Sequence, residues 1–315
     1  MASSPNISNR VPAIIVLSIL TIFGLDALLL QLERNGYMDM ARNIISDPLP
    51  RFLPDTDRLI LKRYTGIGPL DDFFAFSNIV WAGVTDGSRP ELSLFTFCFG
   101  GQLIATFMVF IIESQRTVGW SPLVLKQWSN AVWSMAPFYI FILQIVFTGL
   151  LKRLSVGQDA YKPKVVLDKA ALRHAYGFAW NIAVVSQMTT YAVLIAASVL
   201  PGIFPNGLAR SFTISKVFAP GAPPHSYEPM SSAAVAMHNF LIYDFATGSV
   251  AGLVWGLQQL LEVKPELKVG EERANLARGV VKSVLLSGPG GALIALMQHR
   301  DESVLSAEAK AEKTK

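Results

Sequence analysis

Long apolar runs separated by short charged connections set the pattern of this chain. Residues 11–30 are mostly aliphatic, and at ~1.5 Å rise per residue a helix of that length crosses a hydrocarbon core roughly 30 Å thick. Residues 92–112, 133–151, 176–200, 232–261 and 280–297 meet the same length requirement or nearly so, which predicts six membrane-spanning helices. Residues 73–84 are apolar for a shorter stretch, preceded by Asp71 and Asp72 and soon followed by Asp86; that is short for an independent span and reads as a re-entrant half-segment. With six spans, nine of the 27 Lys and Arg fall on one side and eighteen on the other. If residues 73–84 also cross, the split becomes thirteen to fourteen, and the bias that orients membrane helices disappears. The bias favours six spans plus the half-segment, with seven as the alternative. The expected fold is all-α, a polytopic membrane helical bundle of six to seven transmembrane helices, with residues 1–302 as one integral membrane domain. The polar residues 303–315 are expected to form a disordered tail. Five prolines between residues 202 and 230 predict an irregular loop there, either a lid or a plain solvated linker.

Composition agrees with the pattern. The 315 residues are 51% hydrophobic and 16% charged, with mean hydropathy +0.40, whereas soluble domains carry about 25% charged residues. So few charges cannot cover a water-facing surface of this size. The net charge of +4 comes from loops and termini, so it reads as membrane topology and not as a footprint for nucleic acid. The single cysteine, Cys98, lies within an apolar run, which excludes an internal disulfide and argues against a Cys-based zinc site. The first run follows Arg10 directly without a small-residue cleavage site, so it is expected to be a retained anchor. The expected setting is multi-pass in the endoplasmic reticulum membrane.

Ionisable groups inside a bilayer cost several kcal/mol unless they face a protein cavity, so their positions carry the most information. Phe99, Gln102, Thr106, Phe110 and Glu113 repeat at helical spacing and share one face. Tyr176, Trp180, Gln187 and Tyr191 form a second stripe, aromatic and amide in character. A third contains Phe240, Asp244, Thr247, Gly248, Ala251, Trp255 and Gln258, with Asp244 the deepest acid in the chain. Helix-to-helix packing explains any one of these positions about as well as function does. Two acids in separate spans, Glu113 and Asp244, are more than packing requires. Asp26 reads as structural, with Arg34 as a nearby partner, and His238 as a packed polar group. No residues have metal-ligand spacing, and nothing matches a phosphate-binding loop, a dinucleotide fingerprint or a serine nucleophile elbow; no metal or cofactor is expected. Asp71 and Asp72 invite comparison with the aspartate-rich magnesium motif of diphosphate-using prenyl enzymes, but Asp-Asp-Phe-Phe-Ala lacks the third acid that such a site needs.

The segment Tyr64-Thr-Gly-Ile-Gly-Pro-Leu-Asp-Asp-Phe, then Asp86-Gly, Phe99-Gly-Gly-Gln and Glu113-Ser, resembles the small membrane-bound terpene cyclases of fungal meroterpenoid pathways, the ascofuranone type above all. The late Leu286-Ser-Gly-Pro-Gly-Gly-Ala and His299-Arg-Asp-Glu are similar to the end of that group, so the resemblance runs from about residue 60 to 302. Integral membrane proteins of indole-diterpene clusters are distantly similar too. The resemblance implies cyclisation of an epoxidised, prenylated aromatic compound by protonation of its epoxide, without metal or diphosphate release. In the ascofuranone case a hydroxyl would close a tetrahydrofuran ring.

The residues are compatible with that chemistry. Opening an epoxide by acid needs a protonated carboxyl, and apolar surroundings favour the neutral form. Glu113 and Asp244 are the first candidates for proton donor, with Asp71, Asp72 and Asp86 second near an interface, and these carboxyls are expected to share a pocket between helices. A carbocation must be shielded from water and can be stabilised by aromatic faces; Trp180, Tyr191 and Trp255, with Gln102 and Gln187, are the expected substrate-binding lining. The expected partners are a hydrophobic small molecule, the lipid bilayer and other pathway enzymes at the same membrane. The alternative function is a transporter or efflux protein for a hydrophobic metabolite, although no repeat relates the two halves of the chain. A scaffold acting through the basic loops at residues 152–173 and 264–282 is a third reading.

Overall fold

The computed structural model describes residues 11–114 and 169–313. Helices dominate it. Helix α1 starts as Val11–Gly24, passes through a π-helical turn at Leu25–Leu30 and continues as Gln31–Arg34. There follow α2 (Tyr37–Ser46), α3 (Gly68–Thr85), α4 (Pro90–Ser114), α5 (Lys169–Val199), the short α6 (Ile214–Phe218), α7 (Ala233–Val263) and α8 (Gly270–Lys313). An isolated antiparallel bridge pairs Phe52 with Leu59 in the loop before α3.

Among the described residues, five helices are long and apolar enough to cross a membrane: Val11–Arg34, Pro90–Glu113, Leu172–Val199, Ala233–Val263 and Gly270–Ala307. They coincide with five of the six expected spans; the sixth, residues 133–151, lies outside the described residues. The expected half-segment at residues 73–84 is part of α3, an 18-residue helix that is not one of the five. Its Ala75, Ile79 and Ala82 are buried, while Phe73, Phe74 and Trp81 are exposed. On α1, Ile14, Ile15, Ile19 and Ile22 are exposed, as expected of a helix whose outer surface meets lipid.

Two expectations change. Residues 303–313 continue α8 instead of forming a tail; their Ala, Glu, Lys and Ser content includes strong helix formers, and the helix needs no new nucleus to extend. The proline-rich segment after α5 is neither a free lid nor a solvated linker but a strap tied to α1 and α7. His238 Nε2 lies 3.0 Å from the Val217 carbonyl. The Gly221 N–H donates to Asn239 Oδ1 at 2.6 Å, and Tyr243 donates to the Ala222 carbonyl at 2.7 Å. Gln31 and Arg34 donate to the carbonyls of Pro223 and Pro224 at 3.2 and 2.8 Å, and Arg34 stacks over the Tyr227 ring at 5.4 Å. Arg34 also holds Asp26 at 2.7 Å, the pairing that the sequence suggested. His238 is buried and packed, again as expected.

Small residues permit the tightest crossings. A Cβ added at Gly24 would stand 3.2 Å from the Thr247 methyl, and Gly101 lies so close to Ser186 that no Cβ fits. This is how helices associate in a bilayer, where lipid tails are as apolar as Leu and van der Waals contact must supply the attraction. At Gly83 a Cβ would stand 2.8 Å from the Cβ of Ala234 and 3.5 Å from its Cα, so α3 cannot yield there without moving away from α7. Gly83→Val should lower the stability of the detergent-solubilised protein by about 1–3 kcal/mol. Gly68→Ala, with nothing within 4 Å of the added carbon, should leave it unchanged. Thermal melts monitored by size-exclusion chromatography compare the two.

Candidate active site

Where α4, α7 and α8 meet, the bundle leaves a small, partly open crevice. Helix α4 contributes Phe99, Gln102, Leu103 and Thr106; α7 contributes Asp244, Phe245, Gly248, Ser249 and Gly252; α8 contributes Pro289, Gly290 and Leu293. The α4 stripe of Phe99, Gln102 and Thr106 therefore faces the α7 stripe of Asp244 and Gly248 across one space. Asp244 is the one carboxyl among the lining residues, and none of them carries a positive charge. Phe99 and Phe245 meet edge to face at 5.7 Å.

The other expected proton donors are elsewhere, so the five acids do not share a pocket. Glu113 is the counter-ion of Arg300, which is 3% exposed and donates to both Glu113 oxygens. The same guanidinium reaches Asp301 Oδ1 at 2.8 Å, and Tyr176 donates to Asp301 Oδ2 at 2.7 Å. Glu113 is thus committed to matching a buried guanidinium, since removing either partner would strand a charge. The sequence stripe put Glu113 on the same face as Gln102, but its partner comes from α8, far along the chain.

Asp71 shapes a loop. Its Oδ1 accepts the N–H of Thr65 at 2.7 Å, the N–H of Tyr64 at 3.0 Å and the Thr65 hydroxyl at 2.9 Å, while Oδ2 accepts the Gly66 N–H at 3.0 Å. These bonds, led by the Thr65 backbone N–H, hold its carboxyl below the ordinary 3.8, which suits an ion and not a proton donor. Asp72 is exposed. Asp86 closes a turn after α3 by accepting the N–H and hydroxyl of Ser88 at 2.9 and 2.7 Å.

The expected aromatic lining also moves. Trp180 is 37% exposed, and Tyr191 is half-buried. Trp255 packs against Phe110 at 5.8 Å, and Gln187 accepts from the Cys98 thiol at 3.5 Å. None of the four lines the crevice. The inward face of α5 is Tyr176, Ala179, Ala183, Ser186 and Thr190, so its small residues make the contact and Trp180 turns away. Phe245, Ser249 and the Pro289–Gly290 pair were missed. A proline beside glycines within a long apolar run was the available signal for the last of these, since it breaks a helix and exposes backbone.

Asp71 gives a pH dependence. Because folding depresses its carboxyl below 3.8, its stabilisation is complete above that value and is lost as pH falls through the lower folded-state value. Protection of residues 64–67 against hydrogen exchange should therefore decline below about pH 4 in the wild type. In Asp71→Asn it should be weak at every pH and nearly flat across that window.

Residues 13–125 and 119–305 match the CtvD domain. The terpene cyclase penA of Penicillium crustosum is 28% identical over 103 residues, which is 33% of this chain and 26% of that protein. The terpene cyclase janA of Penicillium janthinellum is 29% identical over 97 residues, 31% of this chain and 27% of that protein. The aligned stretch thus spans about a quarter of each curated relative. No solved structure matches. With most of its length matched by that one domain, this helical membrane chain belongs to the CtvD domain family.

Proposed function

We propose that this protein is a membrane-embedded terpene cyclase that opens the epoxide of a prenylated aromatic compound by protonation, with Asp244 as the proton donor. The observation that carries this reading is the position of Asp244, a lone carboxyl on the wall of a crevice otherwise built from Phe, Leu, Gly, Pro and neutral polar side chains. The names of the two Penicillium relatives, both terpene cyclases, support the same class of reaction.

The reaction is an isomerisation. The Asp244 proton passes to the epoxide oxygen as one C–O bond breaks, leaving a hydroxyl and a carbocation. An alkene π bond or a hydroxyl oxygen of the same molecule then attacks that carbon and closes a ring, and the proton released at the end restores the acid. Hydroxyl attack gives the tetrahydrofuran ring of the ascofuranone type. No oxidant, metal or leaving diphosphate is needed for the balance. The rings of Phe99 and Phe245 present electron-rich faces suited to the developing charge, and an apolar crevice excludes water that would quench it. A prenylated phenol partitions into lipid, which gives the reaction a reason to reside within the membrane.

Membranes from a host lacking endogenous cyclases, supplied with an epoxidised farnesyl-phenol, test this reading. Wild type should yield a cyclic product of unchanged mass. Asp244→Asn should reduce it by on the order of 10²-fold or more at unchanged thermal stability, and Asp244→Glu should keep part of it. Full turnover by Asp244→Asn would overturn the assignment. Passage of the unaltered compound across proteoliposomes would favour the efflux alternative.

A further inference from the structure

Helix α8 is broken where it passes the crevice. Gly288 adopts φ 70°, ψ 179°, a conformation that side chains other than Gly rarely tolerate, and the next residue, Pro289, has no N–H to donate to the preceding turn. Gln102 of α4, 3% exposed, fills this break. Its Oε1 accepts the Gly290 N–H at 3.0 Å. Its Nε2 donates to the Ala183 carbonyl at 3.2 Å and is 3.4 Å from Ser186 Oγ, both on α5.

The fit depends on glycine on both sides of the proline. A Cβ at Gly288 would stand 2.5 Å from the amide carbon of Gln102, and one at Gly290 would stand 2.5 Å from the Gln102 carbonyl oxygen. The Gln102 backbone is engaged as well, since its carbonyl accepts the Thr106 hydroxyl at 3.0 Å. Both ends of the side-chain amide are therefore committed to protein groups, on two helices other than its own. That is the arrangement of a brace and not of a group waiting for substrate.

We propose that Gln102 is a positioning residue: by bracing the break in α8 against α5, it fixes the wall formed by Pro289, Gly290 and Leu293 at its working distance from Asp244 and so sets the shape in which the substrate is held. The inference rests on the reading of the crevice as the reaction site, and it replaces the substrate-binding role that the sequence suggested for Gln102. Chemistry at a held carbon is sensitive to displacements of about 1 Å, so loosening this wall should affect turnover more than binding.

Two variants in the full-length, detergent-solubilised protein test it. Gln102→Met keeps the volume and removes the bonds, while Gln102→Glu keeps an acceptor for the Gly290 N–H and loses the donors to α5. By hydrogen exchange and mass spectrometry, Gln102→Met should speed exchange in residues 286–293 by about tenfold or more with α1 and the strap unchanged, and Gln102→Glu should restore much of that protection. In the epoxide assay Gln102→Met should lower kcat by on the order of 10²-fold with KM within about threefold. Asp244→Asn should cut product by on the order of 10²-fold or more while leaving exchange at residues 286–293 as in wild type, which separates the two readings; a wild type that makes no cyclic product would defeat the reaction while the exchange result still reports on the brace. Unchanged exchange at residues 286–293 in Gln102→Met, a uniform rise across all helices, or a raised KM with normal kcat would each overturn the positioning role.

Discussion

Helices inside a bilayer gain little hydrophobic free energy by touching each other, so the contact among α4, α5 and α8 must come from close approach and satisfied polar groups. Here it is concentrated at one crossing. Gly101 lies against Ser186, Gly291 against Ala183, and Gly290 against the Gln102 backbone, and the Gln102 amide joins the three helices. The crevice borders this crossing, so its shape depends on contacts that leave little slack. On the other side of α7, Tyr243 and Asn239 tie the strap to the bundle, and α1 packs through Gly24 on Thr247. Helix α7 is thus held from both faces, and Asp244 with it.

The polar residues fall into separate groups because burial makes different demands of each. A buried guanidinium must be matched by carboxylates, and Arg300 takes Glu113 and Asp301 for that purpose. An exposed turn before α3 uses Asp71 to gather three backbone N–H groups and a hydroxyl. In both places the carboxylate serves as a hydrogen-bond acceptor. Asp244 sits instead among rings, glycines and neutral polar groups, with no cation among the residues that line the crevice.

The spans were legible because length and apolarity decide them locally. Five of the six expected runs are helices of bilayer length, and the stripes correctly set Gln102, Thr106, Asp244 and Gly248 on faces that meet. What periodicity cannot supply is the partner across a helix interface. Glu113 and Gln102 share a face of α4, yet one meets Arg300 and the other Gly290, both from α8 and distant in sequence. Likewise the α5 stripe singled out Trp180 and Tyr191 as an aromatic lining, whereas the buried face of α5 includes Ala183 and Ser186, small residues that allow close approach.

The broken helix deserves a physical reason beyond tolerance of a proline. An unbroken α8 would satisfy its own backbone along its whole length and present only side chains to the crevice. The Gly288–Pro289–Gly290 turn instead releases a backbone N–H, which Gln102 takes, and brings backbone within 3.0 Å of a neighbouring side chain. Unsatisfied backbone is costly at membrane depth, so such a break persists only where another helix supplies the missing partner. That requirement couples α4 to α8 more strictly than apolar packing alone would, and it does so beside the one carboxyl that lines the crevice. A fold that had only to span the bilayer would have no use for so demanding a contact. The reaction proposed for the crevice, which would hold a molecule at a fixed distance from Asp244, gives it one.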